Sequence, residues 1–244
     1  QLVKMRKSFS GLFMALIFLS SGAYSQFEEK LKEEGVVAGS ITRGGKEIQG
    51  YIKETGTAYT NGKFFPAPWQ FQSDIKFIAK DIFEKPGKIK NKLFEKYGAK
   101  DIEGYRYDTL VFESVKYLGV SDVIPKTMFV QSALEGKISL YYHFNSPPPA
   151  VSGPEGFEPV FIECSKPNLV YQKDNDGIVK LVKFLNIEKE LADCPYVTEK
   201  QRKGEYQVVG KVDGSSFINK LIKNTVYREQ VRLLAIEDYN NNCR

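Results

Sequence analysis

Along most of the chain, apolar and polar positions alternate over short stretches separated by glycine-rich turns, the period of β-strands rather than of long helices. After a charged stretch from Phe27 to Glu34, which reads as a helical turn, Val36 to Thr42 and Glu47 to Lys53 flank Gly44-Gly45, a hairpin signal. Asp74 to Lys80 carries Ile75, Phe77 and Ala79 on one face, and Ile102 to Tyr107 and Leu110 to Tyr117 read as two more strands. The strongest alternation lies between Thr127 and Phe144. There Ile138, Leu140, Tyr142 and Phe144 interleave with Ser139, Tyr141 and His143, and Glu135-Gly136 makes the turn between the two arms. A strand with one wet face places His143 on the more polar side, half exposed among tyrosines. Asn145 to Pro159 breaks the pattern. Its run of prolines and glycines predicts a long surface loop or a subdomain boundary. Val160 to Glu163, Asn168 to Lys173 and Ile178 to Phe184 then read as strands, with a turn at Asp174-Asn175-Asp176-Gly177.

From Asn186 the period lengthens. Asn186 to Asp193 reads as a helix that Pro195 stops, and Ser215 or Ser216 can cap another beginning at Phe217. Phe217, Leu221 and Ile222, then Tyr227, Val231 and Leu234, recur at helical spacings until the Asn240-Asn241-Asn242 run. The expected fold is therefore α+β: a mainly antiparallel β-sheet, sandwich or partly closed barrel, over residues 26–185. Two or three C-terminal helices in residues 186–244 pack on it. The 14 Tyr and 17 Phe favour strands in the first part. An outer-membrane barrel is the rival architecture, but its strands run to about 10 residues and most of these are shorter.

Residues 1–25 follow another logic. Counting from Met5, Arg6 and Lys7 make a short positive segment, Gly11 to Ser20 is uncharged and mostly apolar, and the small residues Ala23 and Ser25 precede Gln26. This is the layout of a secretory signal peptide cleaved between Ser25 and Gln26, with Gln1 to Lys4 as an upstream extension. The apolar run falls short of the about 20 residues of a bilayer span, and no later run approaches that length, so no transmembrane span is expected after cleavage. Cleavage removes Lys4, Arg6 and Lys7 and no acidic side chain, taking the formal net charge from +5 to +2. No basic stripe remains to bind phosphates, and nucleic acid is not an expected partner. The location implied is extracytoplasmic, in the periplasm or associated with the outer membrane.

Export leads to an oxidising compartment, where cysteines pair. Of Cys164, Cys194 and Cys243, the pair Cys194–Cys243 would tether the C-terminal segment, closing a loop of about 50 residues worth about 4 kcal/mol in the chain-entropy model. Cys164, in Val-Phe-Ile-Glu-Cys, reads as a buried strand residue acting as a small hydrophobe.

Several landmarks together resemble a group of exported Bacteroidetes proteins of unknown function. They are the Ser25-Gln26 junction, Gly50-Tyr51-Ile52, Ser73 to Phe77, Lys100 to Tyr105, Phe129 to Tyr142, Ala192-Asp193-Cys194-Pro195, and Asp238-Tyr239-Asn240 before Cys243. The resemblance spans most of the chain after Ser25. It implies a β-rich region with a helical tail outside the cytoplasm, and no activity.

Common catalytic signatures fail on residue type or spacing. A single histidine excludes H-E-x-x-H and any multi-histidine zinc site, and no C-x-x-C occurs. With Gly177 at position 6 of a calcium loop, positions 1 and 12 become Gln172 and Lys183, where acidic ligands are required. Neither G-x-S-x-G nor a phosphate-binding glycine loop appears. No cofactor or metal is expected. A carboxylate pair of the glycosidase kind stays open, because 30 acidic residues allow many pairs.

One segment reads as a contact surface. Phe64-Phe65-Pro66-Ala67-Pro68-Trp69-Gln70-Phe71 sets four aromatics beside two prolines, and rings on a stiffened loop bind sugars or partner pockets at low entropy cost. The same loop folded inward would plug one end of the sheet. The expected function is a non-catalytic binding or accessory protein of the cell envelope, with an envelope protein or glycan as partner through Phe64, Phe65, Trp69 and Phe71. The alternative is a carboxylate-based hydrolase acting on glycans or other envelope material.

Overall fold

The computed structural model describes residues 26–60, 62–119, 123–148, 154–175, 177–207, 218, 221 and 227–243. The signal segment up to Ser25 and the cap at Ser215, Ser216 and Phe217 lie outside the described residues. A helix over 26–34 (α1) leads into β1 (Val36–Arg43) and β2 (Lys46–Lys53). Gly44 and Gly45 join these two strands with positive φ of 59° and 70°, the backbone of a two-residue hairpin turn. A separate hairpin follows, β3 (Thr57–Thr60) and β4 (Lys63–Pro66), and then a 3-10 turn over Pro68–Gln72. The remaining strands are β5 (Ile75–Ala79), β6 (Glu95–Tyr97), β7 (Gly104–Tyr107), β8 (Leu110–Tyr117), β9 (Lys126–Leu134), β10 (Ile138–Phe144), β11 (Pro167–Lys173) and β12 (Ile178–Leu181). Helices α2 (Lys80–Phe83), α3 (Pro154–Cys164), α4 (Ile187–Glu190), α5 (Pro195–Arg202) and α6 (Tyr227–Asn242) complete the fold.

Ten strands form one sheet, and five of them close on themselves. β8 to β12 pair antiparallel in order, and β12 returns to β8 in parallel, Ile178 beside Lys116 and Val179 beside Tyr117. β8 makes closure possible because one edge serves two partners. Its first half bonds to β7 through Leu110 to Glu113, and its last two residues bond to β12. Beyond β7 the sheet continues as β1, β2, β5 and β6. The expected partly closed barrel, mainly antiparallel and followed by helices, is thus the architecture. Inside the barrel, Val115, Tyr117, Val130, Tyr141, Val170, Val179 and Leu181 form one apolar cluster. Five strands leave a narrow interior that side chains fill.

The other core faces the helices. Ile138, Leu140, Leu169 and Tyr171 on the outer face of β10 and β11 pack with Leu191, Val197, Ile218, Leu221, Leu233, Ile236 and Tyr239. Asn240 hydrogen-bonds both the N–H and the C=O of Ile138, at 2.8 and 2.9 Å, pinning α6 to the start of β10. The disulfide Cys194–Cys243 joins the residue before α5 to the residue after α6. Among the described residues no helix is long and apolar enough to cross a membrane.

Three expectations are corrected. Residues 154–164 form a helix, not a loop followed by a strand, so Cys164 ends a helix. Pro154 opens it, where no N–H donor is needed, and Pro159 forfeits only one bond of a short exposed helix. What holds it is an apolar stripe at i, i+4 and i+7: Phe157, Phe161 and the buried Cys164. Pro195 does not simply stop a helix; it occupies the first turn of α5, and the helix before it shortens to Ile187–Glu190. Finally, β10 has no wet face. Six of its seven residues are buried, one face under α6 and the other inside the barrel.

Candidate functional site

Barrel closure decides where His143 lies. β10 pairs with β9 only through Leu140, Tyr141 and Tyr142, with a register shift after Leu140, whereas β9 stays paired with β8 as far as Lys126. Past Tyr142 the two strands part, leaving the barrel open at that end. The freed backbone of Phe144 is satisfied by a side chain: Gln72 accepts from its N–H at 2.6 Å and donates to its C=O at 2.7 Å.

Between the parted strands lies a cleft of about 590 Å³, to which all five barrel strands contribute. Tyr117, Met128 and Leu181 give it apolar walls, and Asn168, Asn145 and Ser146 line it with polar groups. Lys126 and Lys183 supply its charge, and no Asp or Glu is among the described residues that line it. His143 reaches it from the barrel interior. Its residue is 6% exposed, its ring stands 4.3 Å from that of Tyr117, and its buried Nδ1 has no hydrogen-bond partner among the described residues. Burial pulls the imidazole down to about 4, so it is neutral at physiological pH. The half-exposed position expected for His143 is therefore corrected. Large residues on both faces of β10 were the available signal, since a strand buried on both sides loses its polar alternation.

The barrel's other end is closed by polar contacts. The Tyr141 hydroxyl lies 3.1 Å from a Glu113 carboxylate oxygen and 3.4 Å from the Gln172 amide oxygen. Burial, opposed by the Tyr141 hydrogen bond and reinforced by Glu135, pushes the Glu113 carboxyl above its ordinary value. Glu113 also lines an outer groove of about 460 Å³ with Glu47, Glu103 and Arg106. There Glu47 accepts from Ser40 at 2.6 Å and Glu103 from the Gly44 N–H at 2.9 Å.

The four aromatics of the proline-rich segment separate. Phe64, 74% exposed, stands beside the exposed Tyr59 with ring centroids 4.8 Å apart. Phe65 and Trp69 are half-buried against Phe161 of α3, at 5.6 and 5.4 Å. Phe71 turns inward and stacks on Phe112 at 5.1 Å. The segment thus both presents a ring pair and plugs the sheet. Cys164 is buried, and desolvation followed by the charge of Glu163 pushes its thiol up, away from the reactive thiolate. Among the described residues no three His, Cys, Asp or Glu side chains cluster as metal ligands. No family model, curated protein or solved structure matches the chain.

Proposed function

We propose that this chain is an exported binding protein of the cell envelope that holds a small molecule in the open end of its barrel. One observation carries the reading: a buried histidine with an unpartnered nitrogen borders a cleft of about 590 Å³. Buried polar atoms in folded proteins nearly always have a partner, so each exception calls for an explanation, a bound group among them. The volume lies in the range of small-molecule pockets, and apolar walls with a few polar groups are their usual lining. Export is supported by the signal-like segment ending at Ser25 and by the Cys194–Cys243 bond, which belongs to an oxidising compartment. The resemblance to exported Bacteroidetes proteins agrees with that location. An envelope protein or glycan has its point of contact in the exposed Tyr59–Phe64 pair.

The test is capture from an envelope metabolite extract, followed by denaturation and mass spectrometry of what is released. A Ser146→Trp variant, altered at an exposed rim position, is the comparison. A compound retained by the wild type and lost by a variant of unchanged melting temperature is the expected result. Equal retention by both chains, or by neither, removes the cleft as a binding site.

The alternative, a carboxylate-based hydrolase, has its support in the raised Glu113 carboxyl beside Glu47 and Glu103. All three carboxylates are already engaged in internal hydrogen bonds, which favours the binding reading.

A further inference from the structure

The lining of the barrel-mouth cleft narrows what it can hold, provided that the binding reading above is right. Its charges are already committed. Lys183 interacts with Glu229 of α6 and stands 5.4 Å over the Phe184 ring, and Lys126 has a partner of its own. No carboxylate is among the described residues that line the cleft. A charged ligand of either sign would leave water without a counter-charge held ready for it, and an unpaired charge is costly to bury. The cleft therefore favours a neutral ligand.

The second restriction comes from the layer of side chains at its floor. Asn168 lies two residues before Val170 and His143 two residues after Tyr141, and both of those belong to the barrel interior. The strand period thus puts Asn168 and His143 on the same inner face. With Tyr117, Met128 and Leu181 they form a layer to which each of the five barrel strands gives one side chain. His143 and Asn168 are direct cross-strand partners, so imidazole and carboxamide stand side by side, their Cβ atoms about 5 Å apart. Burial keeps the imidazole neutral, and each of the two groups both donates and accepts hydrogen bonds. The Asn145 amide and the Ser146 hydroxyl add two more such groups to the lining. The buried Nδ1 of His143 has no partner among the described residues. An alkyl or aryl ligand would fill the apolar wall of Tyr117, Met128 and Leu181 but leave these polar groups unpaired, at a cost for each. A pyranose matches both halves, with hydroxyl groups around its edge and C–H groups on its faces. We propose that the cleft binds a neutral sugar, one pyranose unit whose hydroxyls pair with His143 and Asn168 and whose C–H face lies on Tyr117, Met128 and Leu181.

Because His143 is the only histidine of the chain, its imidazole gives a single set of NMR signals at the site itself. The purified chain is titrated with glucose, galactose and mannose, and with the cationic 2-amino sugar and the anionic uronic acid of each. At least one neutral sugar is expected to shift the imidazole signal and to bind about ten-fold or more tightly than its two charged relatives. Asn168→Ala should weaken that sugar by about ten-fold at an unchanged melting temperature. Asn168→Val, which suits a strand better, takes its place if the alanine chain melts earlier. Equal or tighter binding of a charged relative overturns the neutral class yet leaves the cleft a binding site. Undiminished binding by the Asn168 variant overturns the assignment to this layer. If no sugar moves the imidazole signal, the sugar is overturned, and the extract-capture experiment then judges the binding reading separately.

Discussion

His143 shows how one side chain ties stability to pH. Its imidazole sits near 4 in the folded chain, against 6.5 when solvated. Below about pH 6.5 the unfolded chain takes up a proton that the folded chain refuses, so stability is lost as the pH falls through this window. The loss levels off near pH 4, at up to about 3 kcal/mol. Urea titrations of the wild type and of His143→Gln between pH 7 and 4 test this. The difference in unfolding free energy between the two chains should change by that order over the window, because glutamine does not titrate. A constant difference would mean that the imidazole is solvated and the barrel interior wet. The same residue scale explains Gln72, whose single amide replaces two strand partners for Phe144 and keeps the barrel end open without unpaired backbone groups.

At the scale of elements, α6 is secured at its C-terminal end by two polar contacts and a covalent bond. Asn240 bonds the backbone of Ile138, and the Tyr239 hydroxyl donates at 2.6 Å to Asp193, which also pairs with Lys173 of β11 at 2.7 Å. The Cys194–Cys243 bond spans 49 residues of sequence and adds loop closure to these. Reduction, or Cys243→Ser, is expected to lower the unfolding free energy by about 3–4 kcal/mol while leaving α6 docked, because its polar and apolar contacts persist. Equilibrium urea unfolding with and without reductant checks the size, and circular dichroism checks the helix. Thiol counting on the unfolded, unreduced chain should find one reactive cysteine, Cys164. Three reactive thiols would remove the tether from the account.

For the whole molecule, stability is unevenly spread. β8 belongs to both the barrel and the open part of the sheet, so its loss would dissolve both, and its partner β9 and the next strand β10 share the buried interior. The β3–β4 hairpin forms a two-stranded sheet by itself and meets α3 through Phe65 on Phe161 and the exposed Lys63–Glu158 pair. Amide exchange is therefore expected to be fastest in residues 57–66 and slowest, near the global limit, in β8 to β10 and the middle of α6. Phe64→Ala should change stability by under about 0.5 kcal/mol. Phe71→Ala should cost about 3 kcal/mol or more, because it empties a place against Phe112. Uniform protection across the hairpin would show it to be part of the cooperative core.

Local chemistry made much of this legible. Gly44-Gly45 marked a hairpin because both positions take the positive φ that glycine adopts readily, Glu135-Gly136 marked another by its glycine, and alternation identified the strands flanking them. The cysteine bond followed from the tendency of an exported chain to tie down its end. Periodicity within a single segment cannot report partners far along the chain, and there the reading failed. Closure of β12 onto β8 turned the supposed wet face of β10 into a barrel interior, and so moved His143 from solvent to the floor of a cleft. The helix over Pro154–Cys164 was hidden for a related reason: its prolines argue against a helix locally, while the rings of Phe65 and Trp69 that stabilise it lie about 90 residues earlier. Turn chemistry and strand period are properties of neighbours in sequence. Burial on both faces, and the cleft it creates, belong to the pairing of distant strands, whose energy is shared among residues that no local pattern brings together.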